Sequence, residues 1–171
     1  MIAVSTEGAT TATTKAPAWS WVVATFFGTG FGRPGPGTWA SVATALLWFG
    51  CARFADPASL PMCAATAAIV VTLIGIPAAT RVARALGKKD PSHVVIDEVA
   101  GQLIAFIYVP LNWHNILAAL ILFRAFDITK PFPIRRLERL PEGMGIMLDD
   151  VGAGLYALAI MQLLLHFGLL K

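Results

Sequence analysis

Apolar residues gather in five runs along the chain, at about Thr38–Phe54, Met62–Ala79, Val94–Val109, Asn115–Phe126 and Ile146–Phe167. A membrane-crossing helix needs roughly 20 residues, with a working range of about 17–25. The third and fourth runs are short, so they extend into their charged flanks or cross a thinned region. A sixth apolar piece, Ala18–Phe27, carries Trp19 and Trp21. It is too short to span and suits an interfacial or half-buried helix. The pattern predicts an all-α, polytopic helical membrane protein, with about five hydrophobic helices plus that short N-terminal interfacial helix.

The connections fall into two kinds. Ala55–Pro61 and Pro110–His114 are short and poor in charge, whereas Arg81–Ser92 and Asp127–Gly145 are longer and rich in it. With five spans, the two kinds lie on opposite membrane faces. Of thirteen Lys and Arg, only Arg53 and Lys171 belong to the charge-poor side. Such an excess marks the cytoplasmic face. Residues 1–15, rich in Thr and Ala, lack a basic start followed by an apolar core and read as a disordered leader. Residues 16–171 read as a single helical domain.

Composition agrees. Hydrophobic residues make up 57% of the 171 and charged residues 13%, with a mean hydropathy of +0.70. A soluble domain usually carries about 25% charged residues. The net charge of +3 comes without a basic stripe interleaved with aromatics, so nucleic acid is not an expected partner. Cys51 and Cys63 have no metal-type spacing; they read as small buried hydrophobes or as a disulfide across one turn.

The acids carry the chemistry. Asp97-Glu98 and Asp149-Asp150 each stand just inside the start of an apolar run, and Asp127 ends another, all on the charge-rich side. Carboxylates at that depth need partners. Hard oxygen ligands without convergent His or Cys point to magnesium rather than zinc. The competing reading is helix capping against the macrodipole, although a cap needs one acid per helix and not a pair. Gly101 and Gly154 each follow an acid by four residues and allow a neighbouring helix to come close.

Two further segments bear on anions. In Phe123–Pro133, residues Arg124, Asp127 and Lys130 share one helical face before Pro131 and Pro133 end the helix. Arg135 and Arg136 follow at once, and four bases around one acid suit a phosphate clamp. For the arginines, a plain anchor to lipid headgroups is an equal alternative. The glycine-rich loop Gly28–Thr38 offers backbone freedom, and Thr38 reads as an N-cap whose helix presents free amides to an anion. Thr29, Gly30 and Thr38 are therefore candidate phosphate contacts, with a plain tight connection as the other reading. The loop lacks the Lys-Ser/Thr ending of a P-loop. His93 reads as a polar residue at a helix start, and no Ser-His-Asp or Cys-His order suggests an activated nucleophile.

Taken together, Gly28-Thr29-Gly30 through Pro36-Gly37-Thr38 and Ser41, Asp90-Pro91 with Val95-Ile96-Asp97-Glu98 and Gly101, and Phe123-Arg124 through Asp127, Lys130-Pro131, Pro133 and Gly143-x-Gly145-Ile146-Met147-Leu148-Asp149-Asp150 resemble the phosphatidylglycerophosphatase A family. The resemblance runs from about Gly28 to Gly154. It implies a magnesium-dependent phosphatase of the bacterial inner membrane, multi-pass, with its site facing the cytoplasm. The substrate would be phosphatidylglycerophosphate, the products phosphatidylglycerol and inorganic phosphate.

On that reading Asp97, Glu98, Asp127, Asp149 and Asp150 hold magnesium, while Arg124 and Lys130, with Arg135, neutralise the phosphoryl oxygens. The catalytic set is Asp97, Asp127, Asp149 and Lys130. Direct attack by water and an aspartyl-phosphate intermediate both stay open, as does the oligomeric state. Two rivals remain: a phosphatase for another lipid phosphomonoester, and a small carboxylate-dependent ion transporter, which would want acids near the bilayer midplane.

Overall fold

A computed structural model describes residues 15–170. The expected leader, residues 1–15, lies outside the described residues except for Lys15. Among the described residues the chain is wholly helical: α1 (Ala18–Ala24), α2 (Pro36–Ala52), α3 (Leu60–Leu86), α4 (Ile96–Ala105), α5 (Trp113–Thr129), α6 (Ile134–Leu137) and α7 (Glu142–His166).

Local chemistry sets the helix ends. Gly35, at φ +70°, precedes α2, and Pro36 occupies its first position, where a missing N–H costs nothing. Gly87, at φ +62°, ends α3 in the left-handed conformation that glycine adopts freely. The Asn112 side chain caps α5 by accepting from the Asn115 N–H at 2.8 Å. Thr38, expected to cap α2, is instead an exposed residue in its first turn; the cap position belongs to Gly35.

The helices form a bundle with α4 at its centre, packed against α2, α3, α5 and α7. Nine of its ten residues are buried, including Gln102. Here the structure departs from the expected third run, Val94–Val109. A ten-residue helix is about 15 Å long, half the hydrocarbon thickness of about 30 Å. The run is apolar because it is surrounded by protein, a setting that hydropathy alone cannot separate from lipid. Gly101 of α4 and Gly154 of α7 let those two helices touch backbone to backbone: a Cβ on Gly154 would lie 3.0 Å from the Gly101 Cα.

Two segments, Pro57–Leu86 and Glu142–His166, are long and apolar enough to cross a membrane. In the first, only 28% of the most apolar window is buried, with a mean hydropathy of 2.1. A soluble core helix would be mostly covered; this one turns Ile69, Val70, Leu73 and Ile74 outward. That outward apolar face supports membrane association. Helices α2 and α5, at 17 residues each, stand at the lower limit for spanning.

The two kinds of connection separate as expected. The start of α2, the segment after α3, the starts of α4 and α7 and the end of α5 meet around one charged cleft. The opposite ends surround a second cleft lined by Ala52, Leu60, Phe106 and Val109, with Arg53 its one charged residue among the described residues. Helix α1 packs on α3, and Arg81 lies over the Trp19 ring at 5.0 Å. Cys51 and Cys63 are free and exposed rather than buried or bonded.

Gly154→Ala is expected to destabilise the protein by about 1–3 kcal/mol, because its methyl meets backbone that cannot yield. Gly50→Ala, with nothing within 4 Å of the added carbon, should leave stability unchanged or slightly raised. Thermal unfolding of both variants in one detergent checks the contrast.

Candidate active site

The charged cleft has a volume of about 270 Å³ and takes its walls from six places in the chain, one of them Glu138 between α6 and α7. The first turn of α4 supplies Asp97 and Glu98, the end of α5 supplies Arg124 and Asp127, and Lys130 follows α5. Asp149 and Asp150 come from α7, Gly35–Gly37 from the start of α2, and Lys89, Asp90 and Ser92 from the segment between α3 and α4. The three elements expected to bring acids together do so.

Capping cannot account for all of these acids. Helix α7 begins at Glu142, so Asp149 and Asp150 sit two turns inside it, beyond the reach of the helix dipole. Their carboxyls are buried, as is that of Asp97. Asp97, Glu98 and Asp150 each place one oxygen within 4.8 Å of the others. Asp97 Oδ1, Glu98 Oε2 and Asp150 Oδ2 are buried without any hydrogen-bond partner. Like charges about 4 Å apart repel by roughly 4 kcal/mol near a protein surface, and by more in a drier site. Orphaned oxygens in such a cluster are what a hard divalent cation requires, so these residues fit a metal.

The remaining two acids expected on the metal are engaged otherwise. Asp127 Oδ2 lies 2.5 Å from Arg124 Nη1, which also faces Glu98 Oε1 at 3.6 Å. Asp149 Oδ2 accepts from Lys130 Nζ at 2.6 Å, and its other oxygen accepts from the Asp150 N–H at 3.1 Å. Glu138 stands 3.6 Å from the same ammonium. Burial alone would lower the Lys130 pKa, but the contact with Asp149 outweighs it and holds the ammonium above the ordinary lysine value. The five acids thus divide into a metal-ready trio and a pair that positions two cations.

Of the expected phosphate contacts, Arg124 and Lys130 edge the cleft. Thr29 and Gly30 do not: the Thr29 hydroxyl donates to the Thr25 and Phe26 carbonyls at 3.1 and 3.0 Å. Gly30 is buried beneath the His93 carbonyl, where a Cβ would collide. The His93 ring, with Nδ1 3.2 Å from the Gly30 carbonyl, ties this loop to the start of α4 rather than facing the acids. Thr38 is likewise outside the cleft lining, and Arg135 lines a neighbouring cleft on the far side of Lys130.

Sequence reasoning missed Gly37. A Cβ there would overlap Glu98 Oε1 and stand 3.0 Å from Arg124 Nη1. Its hydrogen side chain admits α2 to the acid cluster. The signal was present in Pro36-Gly37-Thr38, but conformational freedom was credited to the whole loop and not to this one close approach. Lys89, Asp90, Ser92 and Glu138 also join the lining, brought in by chain segments whose path the sequence does not disclose.

Fold and site define a helical protein with membrane association, carrying at its polar end an acidic trio fit for a cation beside two cations held by ion pairs. Residues 22–165 match the family model of phosphatidylglycerophosphatase A. A phosphatidylglycerophosphatase A of Haemophilus influenzae is 37% identical over 145 residues, covering 81% of this chain and 84% of that protein. The Escherichia coli phosphatidylglycerophosphatase A is 31% identical over 148 residues, 85% of this chain and 83% of its own. A Bacteroides thetaiotaomicron protein, provisionally named a phosphatidylinositol-3-phosphatase, is 37% identical over 139 residues, 80% and 87% of the two chains. No solved structure matches the chain. The chain belongs to the phosphatidylglycerophosphatase A family.

Asp150→Asn is expected to weaken Mn²⁺ binding, followed by electron paramagnetic resonance, at least about tenfold. In EDTA the variant should unfold at a temperature no lower than the parent, since one like charge has left a crowded cluster. Added cation should no longer raise that temperature. A fall in EDTA with an intact cation response would mark Asp150 as a structural acid instead.

Proposed function

We propose that the protein is a magnesium-dependent phosphatase of the bacterial inner membrane, hydrolysing phosphatidylglycerophosphate to phosphatidylglycerol and inorganic phosphate. The observation that carries this reading is the trio Asp97, Glu98 and Asp150 beside Arg124 and Lys130, at the polar end of a bundle whose flanks are apolar. A lipid keeps its acyl chains against those flanks and presents its headgroup to that end. The five apolar segments read from the sequence would then make the membrane domain, with α4 buried among the longer helices and the cleft facing the cytoplasm.

The reaction breaks the P–O bond between the terminal phosphoryl group and glycerol and forms a new one to the oxygen of water. Arg124 and Lys130, held by Asp127 and Asp149, meet the phosphoryl oxygens as charge spreads onto them in the transition state. Because their carboxylate partners pre-set their positions, little reorganisation is needed when the substrate arrives. Asp97, Glu98 and Asp150 would hold the metal. A bound magnesium supplies electrostatic neutralisation and lowers the pKa of water. Asp149 or Asp127 would take the proton that water loses and pass it to the departing glycerol oxygen, which leaves as a hydroxyl.

A second reading differs only in headgroup. The Bacteroides relative, matched as closely as the Haemophilus one, carries a phosphoinositide phosphatase name. An inositol monophosphate headgroup would also present a terminal monoester to this cleft.

Phosphate release from the two lipids by the purified protein, with magnesium and with EDTA, separates the readings. The expected outcome is magnesium-dependent turnover of phosphatidylglycerophosphate. Asp97→Asn and Asp149→Asn should each lower kcat by about 10²-fold or more while inserting normally; full activity in both would refute the site. For the orientation, Lys88→Cys in a background lacking Cys51 and Cys63 should react with an impermeant thiol reagent only after the cells are permeabilised.

A further inference from the structure

The reaction so described leaves unused the cleft on the other side of Lys130. It has a volume of about 410 Å³ and is lined by Lys130, Phe132, Arg135, Arg136 and Arg139 among others. Among the described residues, no carboxylate lies within 4.0 Å of any of these three arginines, whereas Arg84, Arg124 and Lys130 all have such partners. The Arg136 guanidinium rests over the Phe132 ring at 4.6 Å, which fixes its plane and leaves its N–H edge free. Helix α6 is buried through Ile134 alone, and the Tyr156 hydroxyl, donating to the Phe132 carbonyl at 3.0 Å, ties the segment before it to α7.

Two clefts of opposite need therefore share one wall. The first holds more carboxylates than cations and calls for a metal with the phosphoryl group it serves. The second holds guanidinium groups without counter-charge and calls for an anion that needs no metal. A phosphodiester is such an anion: one negative charge and two free oxygens, matched to the arginine fork. Phosphatidylglycerophosphate carries a terminal monoester and an internal diester one glycerol apart, and Lys130 stands between the two clefts.

We propose that the Arg135–Arg136–Arg139 cleft is a second phosphate subsite, which grips the diester of the substrate and so selects phospholipids bearing both phosphates over lipids with a monoester alone. This rests on the phosphatase reading above. The competing role for the arginines is general attraction to an anionic membrane surface.

The test uses the full chain in non-ionic detergent micelles, where the substrate is the only anionic lipid. KM and kcat for phosphatidylglycerophosphate are measured for the parent and for R135Q/R136Q/R139Q, with the inhibition constant of inorganic phosphate as the probe of the acid cleft. Loss of charge-assisted hydrogen bonds to the diester should raise KM about tenfold or more, with kcat and the phosphate inhibition constant within about twofold. A KM and a phosphate inhibition constant that rise together would place the arginines' effect in the acid cleft and overturn the subsite. An unchanged KM would assign them to membrane contact and overturn it equally. Should the triple variant unfold, R135Q and R139Q carry the test, each raising KM by roughly threefold if the contacts add. A parent that releases no phosphate takes both readings down; an active parent with an indifferent variant takes only this one.

Discussion

The structure turns on three carboxyl groups pressed together where water is scarce. Asp97, Glu98 and Asp150 come from two helices joined by a glycine-to-glycine contact, and that contact sets how near the acids stand. Everything else in the charged end answers the resulting excess of negative charge. Arg124 and Lys130 each take one further acid, and Arg124 also faces Glu98 at 3.6 Å. Those two carboxylates are thus neutralised locally, Glu98 shares one cation, and Asp97 and Asp150 have none among the described residues. An apolar bundle would be more stable with Leu or Ala at these positions, because burying a charge without a partner is among the most unfavourable things a fold can do. That the chain instead gathers acids with orphaned oxygens is the physical argument for a cation, independent of any likeness to other proteins.

Small residues make the gathering feasible. Gly37 brings the start of α2 against Glu98, Gly101 and Gly154 bring α4 against α7, and Gly143 brings the first turn of α7 beneath Thr80 of α3, whose hydroxyl accepts from the Gly143 N–H at 3.1 Å. Each is a place where any side chain would hold two helices apart. In lipid, where apolar surface gains little by leaving one apolar neighbour for another, such close packing is a main source of helix association. Fold stability and site geometry thus depend on the same few contacts.

Much of this was legible in the sequence, for identifiable reasons. The division into charge-rich and charge-poor connections anticipated a charged cleft and a charge-poor one, because consecutive helices joined by short loops run back and forth and leave alternate loops at opposite ends. Asp97, Asp127 and Asp149-Asp150 could be assigned to one end for the same reason. What could not be read was the division of labour among them. Asp127 is three residues from Arg124 and could be paired on a helix surface, but the Lys130–Asp149 contact spans 19 positions and depends on how the chain returns after α5. Helix α7 starting at Glu142 was also hidden, since its first turn is polar and glycine-bearing; hydropathy finds where a helix meets lipid, not where its hydrogen bonding begins. At α4 the same signal is ambiguous in the other direction, because a short helix enclosed by protein has the same apolar signature as one enclosed by lipid.

The position of the trio also explains why an enzyme of this kind suits a membrane better than water. An acid cluster at the mouth of a soluble cleft would attract any divalent cation and any phosphate. Here the cleft opens at one end of a bundle whose sides are apolar, and the groups around it come from the ends of α2, α4 and α5 and from two turns inside α7. A phosphate tethered to acyl chains meets that end repeatedly, its motion confined to the plane of the bilayer, so that the anchor supplies much of the orientation a soluble enzyme must obtain from contacts. The few polar residues of the cleft can then be committed to the phosphoryl group itself. That economy fits a chain with only 13% charged residues: on the proposed function the bilayer would present the substrate, and the protein would hold in place the charges that meet it.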